Sequence, residues 1–185
     1  MADVIVVGGG PAGLSAALFT GKNGLETVVF DTDETWMHKA HLFNYPGIRS
    51  ISGSEFMELT RGQVRDRGAE IREGEAVTDV EPRDGGFRVE TEDGEYDADY
   101  VVLATGADRS MAEDLAVEFA DDGTVDVDLD TETSIDNLYA TGAMVRDEEW
   151  QAVIAAGDGA SAALDILSKE KGEHFHDFDV PDDVP

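Results

Sequence analysis

Three glycines and one carboxylate carry the clearest chemical signal in this sequence. Gly8, Gly10 and Gly13 have G-x-G-x-x-G spacing and lie between an apolar run, Ala2 to Val7, and a stretch of helical periodicity. Glycines in that pattern let main chain approach a pyrophosphate, and the following helix presents the positive end of its dipole to the phosphate charge. Asp31 stands 18 positions beyond Gly13, directly after a second apolar run. A carboxylate there is placed to accept the hydroxyl hydrogens of a ribose, and it would repel a 2′-phosphate. The pair predicts an adenine dinucleotide, FAD or NAD, rather than a phosphorylated nicotinamide dinucleotide. The competing reading is a glycine turn that only lets a strand and a helix pack closely.

Other chemistry is narrowed by what the chain lacks and by where its histidines fall. The sequence contains no cysteine, which removes disulfides, thiolate metal sites, iron–sulfur clusters and any dithiol relay within these residues. His38 and His41 are spaced to meet on one helical turn, but no third ligand stands nearby in sequence, so no metal is expected. His174 and His176 lie in an acidic stretch and are expected to be solvated.

The elements that must position these residues follow from period and punctuation. Ala2 to Val7 and Glu26 to Phe30 predict buried strands flanking a helix from Ala12 to Gly24, a βαβ unit. Trp36 to Ser50, with Pro46 and Gly47, predicts a shaped loop with room for one helical turn. Ser52 and Glu55 form a possible capping box for a helix running to Gly68. From Ala69 to Ala98, turn signals at Arg83-Asp84-Gly85-Gly86 and Asp93-Gly94 predict an antiparallel meander with Phe87 and Val89 inward. Separate strands are predicted at Tyr100 to Ala104 and Asn137 to Ala140, with weak alternation over Thr124 to Leu129 between them. Ala-Thr-Gly-Ala occurs at 104–107 and again at 140–143, placing small residues at two strand ends where a ligand can approach backbone. A long helix over Gln151 to Lys169 closes the pattern, followed by an acidic tail that is loose or docked.

Charge sets the partner classes. The chain has 185 residues, 13 Lys and Arg against 42 Asp and Glu, and a net charge of −29. Nucleic acid and anionic membrane surfaces are therefore poor partners. The acids are spread along the whole sequence rather than gathered in a tail, so the surface repels itself until salt screens it, and a salt-loving source is the expectation. Length and apolar content suit one domain over 1–172, with halves 1–107 and 115–172 and a tail over 173–185. With no apolar run of membrane-spanning length and no signal-like start, a soluble cytoplasmic protein is expected.

Taken in order, VVGGGPAGLSAA at 6–17, NYPG at 44–47 before Ile51-Ser52-Gly53, YVVLATG at 100–106, LYATG at 138–142 and Gln151-Ala152 resemble the thioredoxin reductase-like flavoproteins. These belong to the FAD-dependent pyridine nucleotide-disulfide oxidoreductases, and the resemblance runs from residue 3 to about residue 170. It implies a Rossmann-like α/β domain that binds FAD, a parallel sheet with helices plus a small meander. It further implies that Gly8, Gly10, Pro11, Ala12 and Gly13 hold the cofactor's phosphates, Asp31 its adenosine ribose and Val77 its adenine. Ala104, Thr105, Gly106 and Gly142 would run along the cofactor, Asn44 would come from the motif loop, and Gln151 and Ala152 would meet the pyrimidine edge of the flavin. A helix N-terminus aimed at that edge would stabilise the charge that accumulates on reduction. His38 or His41 would be placed to donate a proton to reduced flavin.

The departures from the family pattern matter as much. Relatives insert a nicotinamide-binding domain after the first Ala-Thr-Gly strand, whereas here Ser110 leads almost directly to Leu115 and Thr124. That domain and its Cys-x-x-Cys relay are missing between these points, which excludes thioredoxin reduction by the family's dithiol route. Gly142-Ala143 replaces the usual Gly-Asp, removing a carboxylate near the ribityl chain, and Trp150 replaces an Arg, where it would stack on the flavin or simply pack. The resulting expectation is an FAD-binding oxidoreductase-like protein whose electrons come from a separate donor: NADH, a ferredoxin or another subunit. A non-catalytic dinucleotide-binding module, sensing redox state or serving an assembly, is the alternative. NAD in the same cleft stays open, and the surface left by the missing domain predicts a homodimer or heteromer.

Overall fold

The computed structural model describes residues 1–180. β1 (Ala2–Val7) is the centre of the sheet, buried along nearly its whole length, as a strand with neighbours on both edges and cover on both faces must be. Gly8 turns the chain into α1 (Pro11–Lys22), where proline at the first helical position costs no hydrogen bond. The helix stops where the Asn23 side chain donates to the Phe19 carbonyl, 2.9 Å away. β2 (Thr27–Asp31) then pairs parallel with β1, from Val4 opposite Thr27 to Val7 opposite Phe30.

Next come a 3-10 turn at Trp36–Lys39, a two-residue hairpin of β3 (His41–Leu42) and β4 (Ile51–Ser52), and α2 (Gly53–Asp66). Half of the expected capping box forms: the Ser52 hydroxyl accepts from the Glu55 N–H at 3.2 Å. β5 (Glu70–Glu73) is not part of the meander, contrary to the sequence expectation. It pairs parallel with β2, Val28 opposite Glu70, because α2 carries the chain back across one face of the sheet.

The meander consists of β6 (Val77–Arg83), β7 (Gly86–Thr91) and β8 (Glu95–Leu103). β8 is one strand where the sequence predicted two. Its first half is antiparallel to β7, Ala98 opposite Phe87, and its second half is parallel to β1, Val102 opposite Val6. The strand order is β5-β2-β1-β8-β7-β6, with β9 (Leu138–Ala140) parallel to the far half of β8. Thr124 to Leu129 forms no strand; Val125 makes only an isolated bridge with Phe119. Between β8 and β9 the chain holds one short helix, α3 (Ser110–Asp114), and no second nucleotide-binding domain.

Alternation along the central strands builds two cores. Ile5, Val7, Val101 and Leu103 face the meander side with Phe87, Val89 and Met144. Val4, Val6, Tyr100 and Val102 face α1, α2 and the long α4 (Ala152–Lys171). α1 and α4 cross on small residues, since a Cβ on Gly159 would lie 2.0 Å from the Ala12 carbonyl oxygen. Past Gly172 the tail folds back: Lys22 pairs with Asp177 at 2.7 Å and with Asp179. Residues 181–185 of the tail lie outside the described residues. Among the described residues no helix is long and apolar enough to cross a membrane.

Candidate functional site

A cleft of about 590 Å³ opens along the carboxyl ends of β1, β2, β8 and β9, where ligands enter open α/β sheets. Its base is the turn after β1. Gly8 has φ +106°, in the left-handed region, and a Cβ there would lie 2.4 Å from the Ala104 carbonyl oxygen. At Gly13 a Cβ would come within 1.9 Å of the Gly8 carbonyl oxygen. The turn therefore accepts only glycine at these points, and main chain rather than side chain forms the wall of the cleft.

Three helices, α1, α3 and α4, begin at residues that line this cleft. α1 starts at Gly10 with no side-chain cap, and α4 starts at Gln151 with none; neither has an acid in its first turn. α2, whose start is not among the cleft-lining residues, has both a Ser52 cap and Glu55 in its first turn. At the start of α3 the Ser110 N–H is already held by Asp108 and Glu113 stands in the first turn, so in a chain this rich in acids α1 and α4 are the two helices at the cleft that leave their first N–H groups free for an anion.

Asp31, at the end of β2, is buried. Its Oδ1 accepts from the N–H groups of Gly9 at 3.3 Å and Asp33 at 3.0 Å, and its Oδ2 accepts from Arg61 Nη2 at 2.7 Å. A carboxylate offers about four lone-pair positions, so most of the acceptor capacity expected for a ribose is already used inside the protein. Arg61 also pairs with Asp33, and its Nε has no hydrogen-bond partner. Asp33 in turn meets His38 Nε2 at 2.7 Å, while His38 Nδ1 meets the Ser54 hydroxyl at 2.9 Å. The contacts with His38 and then Arg61 hold the Asp33 carboxyl below the ordinary carboxylate range.

Of the residues singled out in the sequence, Gly8, Gly10, Pro11, Ala12, Asp31, Val77, Ala104, Thr105, Gly106, Gly142, Gln151 and Ala152 line this one cleft. Gly13 lies behind the turn and acts through packing. Asn44 is outside the lining; its Nδ2 donates to Gln151 Oε1 at 2.7 Å, tying the motif loop to the start of α4. His38 and His41 do not converge. His41 meets the Ser50 hydroxyl instead, and no cluster of three metal-binding side chains occurs among the described residues.

Sequence reasoning missed Arg61 and Trp36. Arg61 had a signal: it follows Met57 by four positions and precedes Val64 by three, on the buried stripe of α2, where a cation needs an acid partner. Trp36, whose ring centroid is 5.3 Å from that of Trp150, had none. The cleft's charge is one-sided. Asp31, Glu34, Glu75, Asp79, Asp108 and Asp114 line it, with no Lys, Arg or His. The Ser110 N–H and then its hydroxyl hold the Asp108 carboxyl below its ordinary range, so it too stays ionised.

Fold and cleft together define a dinucleotide-binding domain of the Rossmann type. The family model described as pyridine nucleotide-disulphide oxidoreductase matches residues 2–52 and 44–160, and the chain belongs to that family. The thioredoxin reductase of Treponema pallidum is 41% identical over 117 residues, covering 58% of this chain and 36% of that protein. A ferredoxin–NADP reductase from Pediococcus pentosaceus is 29% identical over 128 residues, 65% of this chain and 39% of that one. The chain thus spans between 21% and 39% of the length of these and further curated relatives. Among solved structures, a thioredoxin reductase from Gloeobacter violaceus superposes with a TM-score of 0.85 at 21% identity, over 97% of this chain and 98% of that one. A ferredoxin-flavin thioredoxin reductase from Clostridium acetobutylicum gives 0.80 at 18% identity, over 93% and 99%.

Proposed function

We propose that the cleft binds FAD and that the protein acts as a small flavin-dependent oxidoreductase unit fed by a separate electron donor. The observation that carries this reading is that two uncapped helix N-termini, α1 at the main-chain-walled glycine turn and α4 at Gln151, open on one cleft. One free N-terminus suits any phosphate. Two, at different points along one cleft, suit an anionic group at one end and a ring that becomes electron-rich at the other.

The residues fit the cofactor. Gly8, Gly10 and Ala12 would hold the pyrophosphate, Val77 would lie against adenine, and the Ala104–Gly106 and Gly142 strand ends would border the linking chain. Gln151 and Ala152 would meet the flavin ring. Asp31 would serve the ribose with what acceptor capacity Arg61 leaves it, and its carboxylate still argues against a 2′-phosphate. Bound there, FAD would supply hydride and single-electron chemistry. The chain's own part is to bind, orient and exclude water. Because it contains no cysteine, electrons cannot pass through a dithiol of this chain. NADH, a ferredoxin or another subunit is the class of donor proposed.

A non-catalytic redox-sensing or assembly module is the second reading. What favours it is the lining itself: Ala143 stands where a carboxylate would meet the ribityl region, and no histidine reaches the cleft to move a proton.

Titration of the purified protein with FAD under anaerobic conditions, followed by NADH and then dithionite, separates the two. Visible flavin absorbance bleached by NADH at catalytic rates is the expected result for the enzyme. Reduction by dithionite alone points to a different donor or to the sensing role, and a protein that takes up no FAD removes the flavin form of both readings.

A further inference from the structure

We propose that Trp36 and Trp150 form a recognition subsite for the planar heteroaromatic group of the ligand, in which the ring takes over the contact that each indole now makes with the other. This rests on the FAD reading above and names the side chains that would distinguish the whole cofactor from its ADP half.

The chain has only two tryptophans, and both stand at the same place. They come from distant parts of the sequence, the 3-10 turn after β2 and the segment before α4, yet their ring centroids lie 5.3 Å apart with the planes tilted by 58°. Both line the cleft beside Gln151 and Ala152. Indoles recruited only for area are buried in a core, whereas these remain 58% and 43% exposed. Trp150 has its polar requirement met, because its Nε1 donates to the Arg146 carbonyl at 3.1 Å. What it offers the cleft is an apolar face held in a fixed orientation.

A second link ties the neighbouring β3–β4 loop to the same start of α4, the 2.7 Å hydrogen bond from Asn44 to Gln151. Two flat rings need about 3.5 Å between faces, so a third ring inserted between two indoles needs about 7 Å. The tilted pair at 5.3 Å leaves no such slot. A ligand ring must displace one indole from the other and stack in its place. The exchange should favour the ring over the ADP half, since both indoles line the cleft with Gln151 and Ala152 and belong to neither the glycine turn nor the strand that bears Val77.

The test measures the affinities of FAD and ADP by calorimetry, with tryptophan fluorescence alongside, for the wild type and for Trp36→Ala, Trp150→Ala and the corresponding Phe variants. Stacking on an aromatic side chain is worth enough that its removal should weaken FAD binding by roughly 5- to 150-fold. ADP affinity should be unchanged in the same proteins, which also certifies their folding, and the Phe variants should recover most of the loss. FAD but not ADP should quench the wild-type tryptophan emission.

Equal losses for FAD and ADP would make the pair a structural prop and overturn the proposal. So would unchanged affinities, including the case in which the variants alter only the sedimentation coefficient and so assign the indoles to contact between chains. Wild type that binds ADP, but FAD no more tightly, removes the ring subsite and leaves the cradle standing. Wild type that binds neither removes the FAD reading and this one with it.

Discussion

Arg61 shows how a single side chain can be structural and still bear on ligand binding. It lies on the buried stripe of α2 and reaches Asp31 at 2.7 Å, and both side chains are at least nine-tenths buried. Removing one partner of such a pair leaves a buried charge without compensation, at a cost of about 3–5 kcal/mol. Arg61→Met should therefore destabilise the fold by about that much, as read from urea unfolding at constant high salt. Adding Asp31→Asn should recover most of the loss, because the orphaned charge is gone. If the single variant unfolds like the wild type, Asp31 is held by the Gly9 and Asp33 N–H groups and the arginine is dispensable. The sequence showed the acid but not its partner, because the pair is 30 residues apart and made by a helix crossing the sheet.

At the scale of elements, the crossing of α1 and α4 decides where the two free N-termini sit. Gly159 allows it: any larger residue puts a Cβ about where the Ala12 carbonyl oxygen now lies. Gly159→Val should push the helices apart, lower the melting temperature and weaken FAD binding together. Ala162→Gly, one turn further on in the same interface, should lower stability alone; equal effects of the two on affinity would argue that the crossing does not set the site. The opening βαβ unit was legible because its signals are local, the apolar run of β1, the glycine spacing and the stop near Gly24. β5 was not, since four residues carry too little pattern to show which strand they will join. β8 looked like two strands because Asp97 and Asp99 interrupt its apolar run, although both belong to one continuous ladder. The cleft was legible wherever its wall is backbone, and illegible wherever distant side chains such as Trp36 and Trp150 had to meet.

For the whole molecule, the net charge of −29 meets a cleft lined by six carboxylates and no cation among the described residues. An anionic dinucleotide approaching that cleft is repelled at low ionic strength. The Debye length falls from about 10 Å at 0.1 M salt to about 3 Å at 1 M, so screening should remove most of the penalty. FAD affinity should rise between 0.1 and 2 M KCl, opposite to the usual behaviour of an anion bound by cations, and melting temperature should rise with it. An osmolyte at matched water activity should not reproduce the gain in affinity. Affinity that falls with KCl would mean that the lining carboxylates are not felt by the ligand.

The continuity of β8 has a mechanical consequence. Because one strand serves the meander along its first half and the parallel ladder along its second, the wall beside Val77 and the base beneath Gly8 form a single stiff plate. No hinge can run between them without breaking a ladder. Accommodation of an entering molecule then falls to the segment bearing Trp36 and to the turn ahead of α4, the two pieces of the rim that the plate does not carry.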